Sequence, residues 1–139
     1  MEIRLTKKQK VIVQEAADLF PILQAILKRE NTIDRNREHF YTIALLPKNK
    51  IKFIELISFG SSNAVVVAPT EVYRLATIRG IKKIIVAHNH PSGDLFPSPN
   101  DRKLTDRLKK SGEILEVNLL DHIIFDTDNY FSMVEKGLF

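Results

Sequence analysis

The sequence predicts an α/β domain built on a mixed sheet flanked by helices. Three observations support that class. Segments whose apolar residues recur every three or four positions are interleaved with short apolar or alternating runs, the two periods that separate helix from strand. The runs at 39–46 and 51–59 are joined only by P-K-N-K, as in a hairpin. Other strand-like runs are separated by helical stretches, so the sheet is mixed rather than purely antiparallel.

The elements follow in order. Ile3 and Leu5, then Val11 to Val13, read as short strands on either side of the polar turn T-K-K-Q. From Glu15 to Arg29, the spacing of Ala16, Leu19, Phe20, Leu23, Ile26 and Leu27 predicts a helix. Pro21 falls inside it and suits only a first turn, so a late start or a bend is expected. After the polar R-E-N-T-I-D-R-N-R come the two hairpin strands, and Ala64 to Ala68 predict a third, short strand. P-T-E-V-Y-R-L-A-T-I-R-G reads as a helix with Thr70 as N-cap and Gly80 just past its end. I-I-V-A, residues 84–87, is a buried strand; residues 98–110 form a helix closed by Ser111-Gly112. Residues 114–125 are strand-rich, and the turn D-T-D-N leads to a last short strand near Tyr130.

At 139 residues the chain is expected to form one domain, residues 1–139, with a leading strand/helix region at 1–30 and the core at 31–139. A chain of this size buries roughly two thirds of the surface its unfolded form exposes. With no cysteine, any metal must be held by His, Asp or Glu. The first ten residues lack the apolar segment of a secretory signal, and no apolar run approaches the roughly twenty residues that span a bilayer. A cytoplasmic protein without membrane contact is expected. The net charge of +4 comes from 21 basic and 17 acidic residues dispersed along the chain, an ordinary excess rather than a nucleic-acid footprint.

The chemistry concentrates in I-I-V-A-H-N-H-P-S-G-D-L-F-P-S-P-N-D, residues 84–101, which contains two of the four histidines. Residues i and i+2 of a strand share a face, so His88 and His90 can converge while Asn89 points away. Pro91 and Gly93 end the strand there, and strand ends are where α/β sites are built. Two neutral imidazoles suit a divalent transition metal, zinc above all. A histidine pair at a strand end is also compatible with a purely structural role. S-P-N-D likewise has a structural reading: Ser98 as N-cap, Pro99 at the first helical position, and Asp101 reaching back as in a capping box. Capping and metal ligation are compatible, because both point Ser98 and Asp101 back along the helix axis toward the histidine loop.

Taken together, H-x-H, seven residues and S-x-x-D resemble the JAMM motif of the JAB/MPN metallopeptidase superfamily. H-N-H-P-S-G-D and the later L-L-D-H-I-I-F are similar to its bacterial RadC branch, from about residue 36 onward. The resemblance implies a single JAB/MPN domain with a cytidine-deaminase-like layout. It implies zinc (Zn2+) held by His88, His90 and Asp101, with Ser98 helping to position water and stabilise the developing oxyanion. A catalytic glutamate is also implied near the first core strand; Glu38 occupies that place, with Glu55 and Glu71 as rivals. The implied activity is zinc-dependent hydrolysis of a peptide or isopeptide bond in a peptide or protein substrate. Two alternatives are an accessory role beside DNA-processing proteins without autonomous catalysis, and metal-dependent hydrolysis of another bond. Full-length RadC proteins also carry an N-terminal helix-hairpin-helix element, which residues 1–139 are not expected to include, and this weakens a DNA role inherited from that element.

The remaining candidates have simpler readings. Asp121-His122 predicts a buried Asp–His hydrogen bond that could orient the site from behind. His39 is expected to face solvent or pack beside Phe40. R-K-L-T-D-R-L-K-K, residues 102–110, reads as a solvated helix face. The contiguous letters H-N-H do not indicate an HNH nuclease, whose three residues are dispersed.

Overall fold

A mixed sheet divides the molecule into two cores. The computed structural model describes residues 1–60 and 67–139. In these residues the elements are α1 (Ala16–Lys28), α2 (Thr32–Arg35), β1 (Glu38–Leu45), β2 (Ile51–Gly60), α3 (Pro69–Ile78), β3 (Lys83–Asn89), α4 (Pro99–Leu115), β4 (Asn118–Phe125) and β5 (Tyr130–Ser132). The strand order is β2-β1-β3-β4-β5, antiparallel except for the parallel β3–β4 pair that α4 connects.

Strand alternation assigns the cores. Tyr41, Ile43, Leu45, Ile85 and Ala87 face α1 and pack with Leu19, Leu23 and Ile26. Phe40, Ala44, Ile84 and Val86 face the other way, toward Tyr73 and Ala76 of α3 and Leu104 and Leu108 of α4. Truncating a buried leucine such as Leu19, Leu23 or Leu108 to alanine typically costs about 2–5 kcal/mol. His88 belongs to the α4 side, which places the histidine site between the sheet and that helix.

Most sequence expectations hold, and the departures have local causes. Ile3 and Val11–Val13 do not form strands; the N-terminal segment makes single bridges to β2 at Glu2–Glu55 and to its entrance at Ile12–Lys50. T-K-K-Q becomes a short 3-10 turn over Lys7–Gln9, capped by Thr6. α1 starts at Ala16, because the Asp18 carboxylate caps the Gln14 and Glu15 amides, and Pro21 is carried within the helix. The polar stretch before β1 contains α2, capped by Asn31. The N-cap of α3 is Ala68 rather than Thr70, because Pro69 takes the first helical position. The expected strand at Ala64–Ala68 lies largely outside the described residues, and Val67 and Ala68 are not in a strand.

Gly112 does not close α4. The helix runs on to Leu115 and ends at Glu116 in the left-handed region, so Ile114 and Leu115 are helical rather than extended. A β-carbon at Gly112 would collide with the Val117 carbonyl and the Tyr73 hydroxyl. Tyr73 donates from that hydroxyl to the Leu108 carbonyl at 2.6 Å. The glycine is therefore a packing requirement between α3 and α4, not a helix stop.

Candidate metal centre

β3 delivers the histidines where the sheet splits. Its last ladder partner on β1 is the His88–Phe40 pair, and beyond it the chain turns toward β4, with His90 N donating to the Phe125 carbonyl at 3.0 Å. The gap opened between β1 and the departing chain is a cleft of about 530 Å³, lined among others by Glu38, Gly60, His90, Phe96, Ser98 and Asp101. The N-terminus of α4 closes another side. Ser98 Oγ accepts the Asp101 amide at 3.0 Å, and Asp101 Oδ2 accepts the Ser98 amide at 2.8 Å, a complete capping box.

That capping box aims the Asp101 carboxylate at the histidines. His88 Nε2 lies 3.3 Å from Asp101 Oδ1, His90 Nε2 lies 3.1 Å from Oδ2, and the two Nε2 atoms are 2.9 Å apart. Ligand atoms about 2 Å from a tetrahedral zinc stand about 3.3 Å from one another, so the spacing is close to what the ion requires. Proton positions point the same way. His90 Nδ1 is 2.8 Å from the Asp94 carbonyl, which can only accept, so a neutral His90 turns its Nε2 lone pair toward Asp101. With His90 neutral, its lone pair, His88 Nε2 and the buried Asp101 carboxylate converge on one point, and the three fit a metal on that ground.

The electrostatics suit a cation site. Burial alone would raise the Asp101 pKa, but in the metal-free site protonated imidazoles of His88 and His90 beside it overturn that and hold it well below the usual carboxylate range. Burial works against charge on His90 as well, yet Asp101 and the Asp94 carbonyl leave its pKa raised. Half-buried Glu38 has its pKa raised, first by loss of solvent and then by the Asp101 charge, partly offset by the two histidines.

A family model described as the RadC-like JAB domain matches residues 13–138. The chain belongs to this family. A UPF0758 protein of Chlorobium chlorochromatii is 34% identical over 136 residues, covering 98% of this chain and 59% of the relative. One from Staphylococcus haemolyticus is 39% identical over 131 residues, covering 94% and 55%. One from Caldanaerobacter subterraneus is 45% identical over 104 residues, covering 75% and 45%. The RadC-like domain thus spans about half the length of the curated relatives it matches.

Other residues of this RadC-like domain fall where sequence reasoning did and did not place them. Glu38 lines the cleft beside His90, Ser98 and Asp101. Glu55 is buried on β2, within 3.4 Å of Arg74 and 3.9 Å of the N-terminal amine, and Glu71 is exposed in the first turn of α3. Neither lines the cleft.

The expected buried Asp121–His122 hydrogen bond forms through the main chain, the His122 amide donating to Asp121 Oδ1 at 2.7 Å, and the two side chains do not bond each other. Adjacent residues of a strand face opposite ways, so Asp121 accepts from Ser132 Oγ and the Val134 amide on one side. On the other side the His122 ring lies 2.7 Å from His88 Nδ1 and 2.6 Å from Thr105 Oγ1. His39 is fully buried rather than solvent-facing, and packs on Tyr41 and Phe59 rather than beside Phe40. Strand parity turns it away from Phe40 as well. Thr105, the Asp94 carbonyl and Asn89, whose side chain accepts the His39 amide and donates to the Arg37 carbonyl, were not anticipated. Parity alone signalled that Asn89 faces away from the metal, and nothing local signalled the other two.

Among the described residues, no helix is long and apolar enough to cross a membrane.

Proposed function

We propose that this RadC-like domain is a zinc-dependent metallohydrolase that cleaves a peptide or isopeptide bond in a peptide or protein substrate. One observation carries the reading: ligand atoms of His88, His90 and Asp101 lie within 4.8 Å of one another beside a cleft that also contains Glu38 and Ser98. Three protein donors, rather than four, are the pattern of zinc sites that perform chemistry. When bound, the metal would supply Lewis acidity toward water and a substrate carbonyl.

The chain's own groups have separate tasks. The His88 and His90 imidazoles, neutral, and the Asp101 carboxylate would hold the ion and would leave it a residual positive charge. Glu38 accepts a proton from the attacking water and returns it to the leaving amine, from its place in the cleft beside His90, Ser98 and Asp101. The Ser98 oxygen accepts the Asp101 amide, and its hydrogen has no protein acceptor among the described residues. That hydrogen is available to the substrate oxygen as negative charge develops.

The test is elemental analysis of protein purified without added metal, followed by a screen of peptide and isopeptide-linked substrates. About one zinc per chain is expected, lost in a His88→Ala/His90→Ala double variant. Full zinc occupancy in that variant would remove the ligand assignment. Zinc-loaded protein without Glu38-dependent cleavage would remove the hydrolase reading.

A further inference from the structure

We infer that His122 is a positioning residue for the metal centre: together with Thr105 it fixes the His88 proton on Nδ1 and presents the His88 Nε2 lone pair to the ion. This rests on the metal site proposed above but not on hydrolysis.

The argument starts at the Asp101 backbone carbonyl, which can only accept. Thr105 Oγ1 lies 2.7 Å from that carbonyl, the back-bond of a helical threonine to the residue four positions earlier. Its single hydrogen is used there, so toward His122 it offers only a lone pair. His122 Nδ1, at 2.6 Å, must therefore carry a hydrogen and donate it. A neutral His122 then has a lone pair on Nε2, and His88 Nδ1, at 2.7 Å, must donate in turn. His88 is left with a lone pair on Nε2, the atom facing Asp101 and His90.

The chain of bonds leaves the Asp101 carbonyl, passes through Thr105, His122 and His88, and ends at the His88 Nε2 lone pair, 3.3 Å from the Asp101 carboxylate, where a metal would join the two. All four residues are buried. The His122 ring is fully buried, and its two nitrogens face the Thr105 hydroxyl and the His88 imidazole rather than a carboxylate, a setting for the neutral ring. Reversing the polarity would leave two oxygens 2.7 Å apart with no hydrogen between them and put a hydrogen where the metal binds. Phe40 holds both rings in place, parallel to His88 at 5.9 Å and edge-on to His122 at 5.8 Å.

Groups that orient a metal-ligating histidine typically contribute about 10–100-fold in metal affinity. The first measurement is long-range proton–nitrogen NMR of the imidazoles in metal-free parent protein, at alkaline pH where all are neutral. His88 and His122 should both carry their hydrogen on Nδ1. The second is zinc affinity by competition with a chelating dye. Thr105→Val keeps the branched shape but removes the acceptor and should weaken zinc by about 10–100-fold, while Thr105→Ser should restore it. A purely structural Thr105 would show neither the tautomers nor the rescue by serine.

A His88 hydrogen on Nε2 in the parent, or a folded Thr105→Val variant within about twofold of parental zinc affinity, overturns the inference. If Thr105→Val does not fold, the parent's tautomers decide. Both Nδ1 hydrogens and the affinity loss, found in a protein that cleaves no peptide, would support this inference while removing the hydrolase reading.

Discussion

Asn89, the residue between His88 and His90, grips both peptide groups that flank Glu38. Its Oδ1 accepts the His39 amide at 2.6 Å, and its Nδ2 donates to the Arg37 carbonyl at 3.0 Å. The side-chain amide takes over where the β1–β3 ladder ends at Phe40–His88. The strands can therefore splay to open the cleft while Glu38 stays tethered to the strand that carries the histidines. Removing it leaves the buried His39 amide without a partner, at about 1–3 kcal/mol, while the Arg37 carbonyl keeps the His39 ring nitrogen at 2.9 Å. Asn89→Ala should be destabilised by about that amount in denaturant titrations, keep its zinc and lose turnover. Asn89→Asp retains the acceptor for His39 but not the donor, and should fall between. An alanine variant with parental stability would show that the grip contributes nothing.

Glu38→Gln should retain zinc while hydrolysis collapses, because an amide cannot take up the water's proton. In the parent, kcat/KM should fall as the medium is acidified through the Glu38 pKa, which burial raises and a bound metal would lower. Parental turnover in Glu38→Gln would assign the base elsewhere.

Ser98 should have two separable roles. Loss of the cap in Ser98→Ala should cost about 1 kcal/mol, and loss of a donor to the developing oxyanion about 10²–10³ in turnover. Asparagine is a good N-cap, so Ser98→Asn should recover the melting temperature but not the rate. Equal rates in Ser98→Asn and the parent would reduce Ser98 to a cap.

The metal-free site should have its own pH window. Asp101 has a depressed pKa, so its contribution to stability is present above 3.8 and is lost as pH falls through the folded value. His90 has a raised pKa, so its contribution is complete below 6.5 and is lost as pH rises through the folded value. Both are present between 3.8 and 6.5. With a chelator present, the melting-temperature gap between the parent and Asp101→Asn should be widest in that interval. Zinc affinity should run the other way and rise with pH, since the His90 proton must leave before the metal binds. A gap that stays constant from acid to alkaline pH would contradict the pairing.

What the sequence determined by itself was local in origin. Hydrophobic period separated most helices from strands, and two-residue alternation put His88 and His90 on one face and Asn89 on the other. S-P-N-D carried its capping box within four residues, and that box alone turns Asp101 back along the helix axis. Tertiary structure decided which distant groups meet. Parity showed that Asp121 and His122 face opposite ways. Only the β3–β4 register, Val86 beside His122, set the imidazole next to His88 and within reach of Thr105. The same holds for the three glutamates, of which Glu38 alone lines the cleft, and for Gly112, whose missing side chain makes room for Tyr73. The reason is physical: backbone periodicity and capping act over a few residues and are written in them. Register between strands far apart in the chain is set by how two whole faces of side chains pack, and no single segment contains that information.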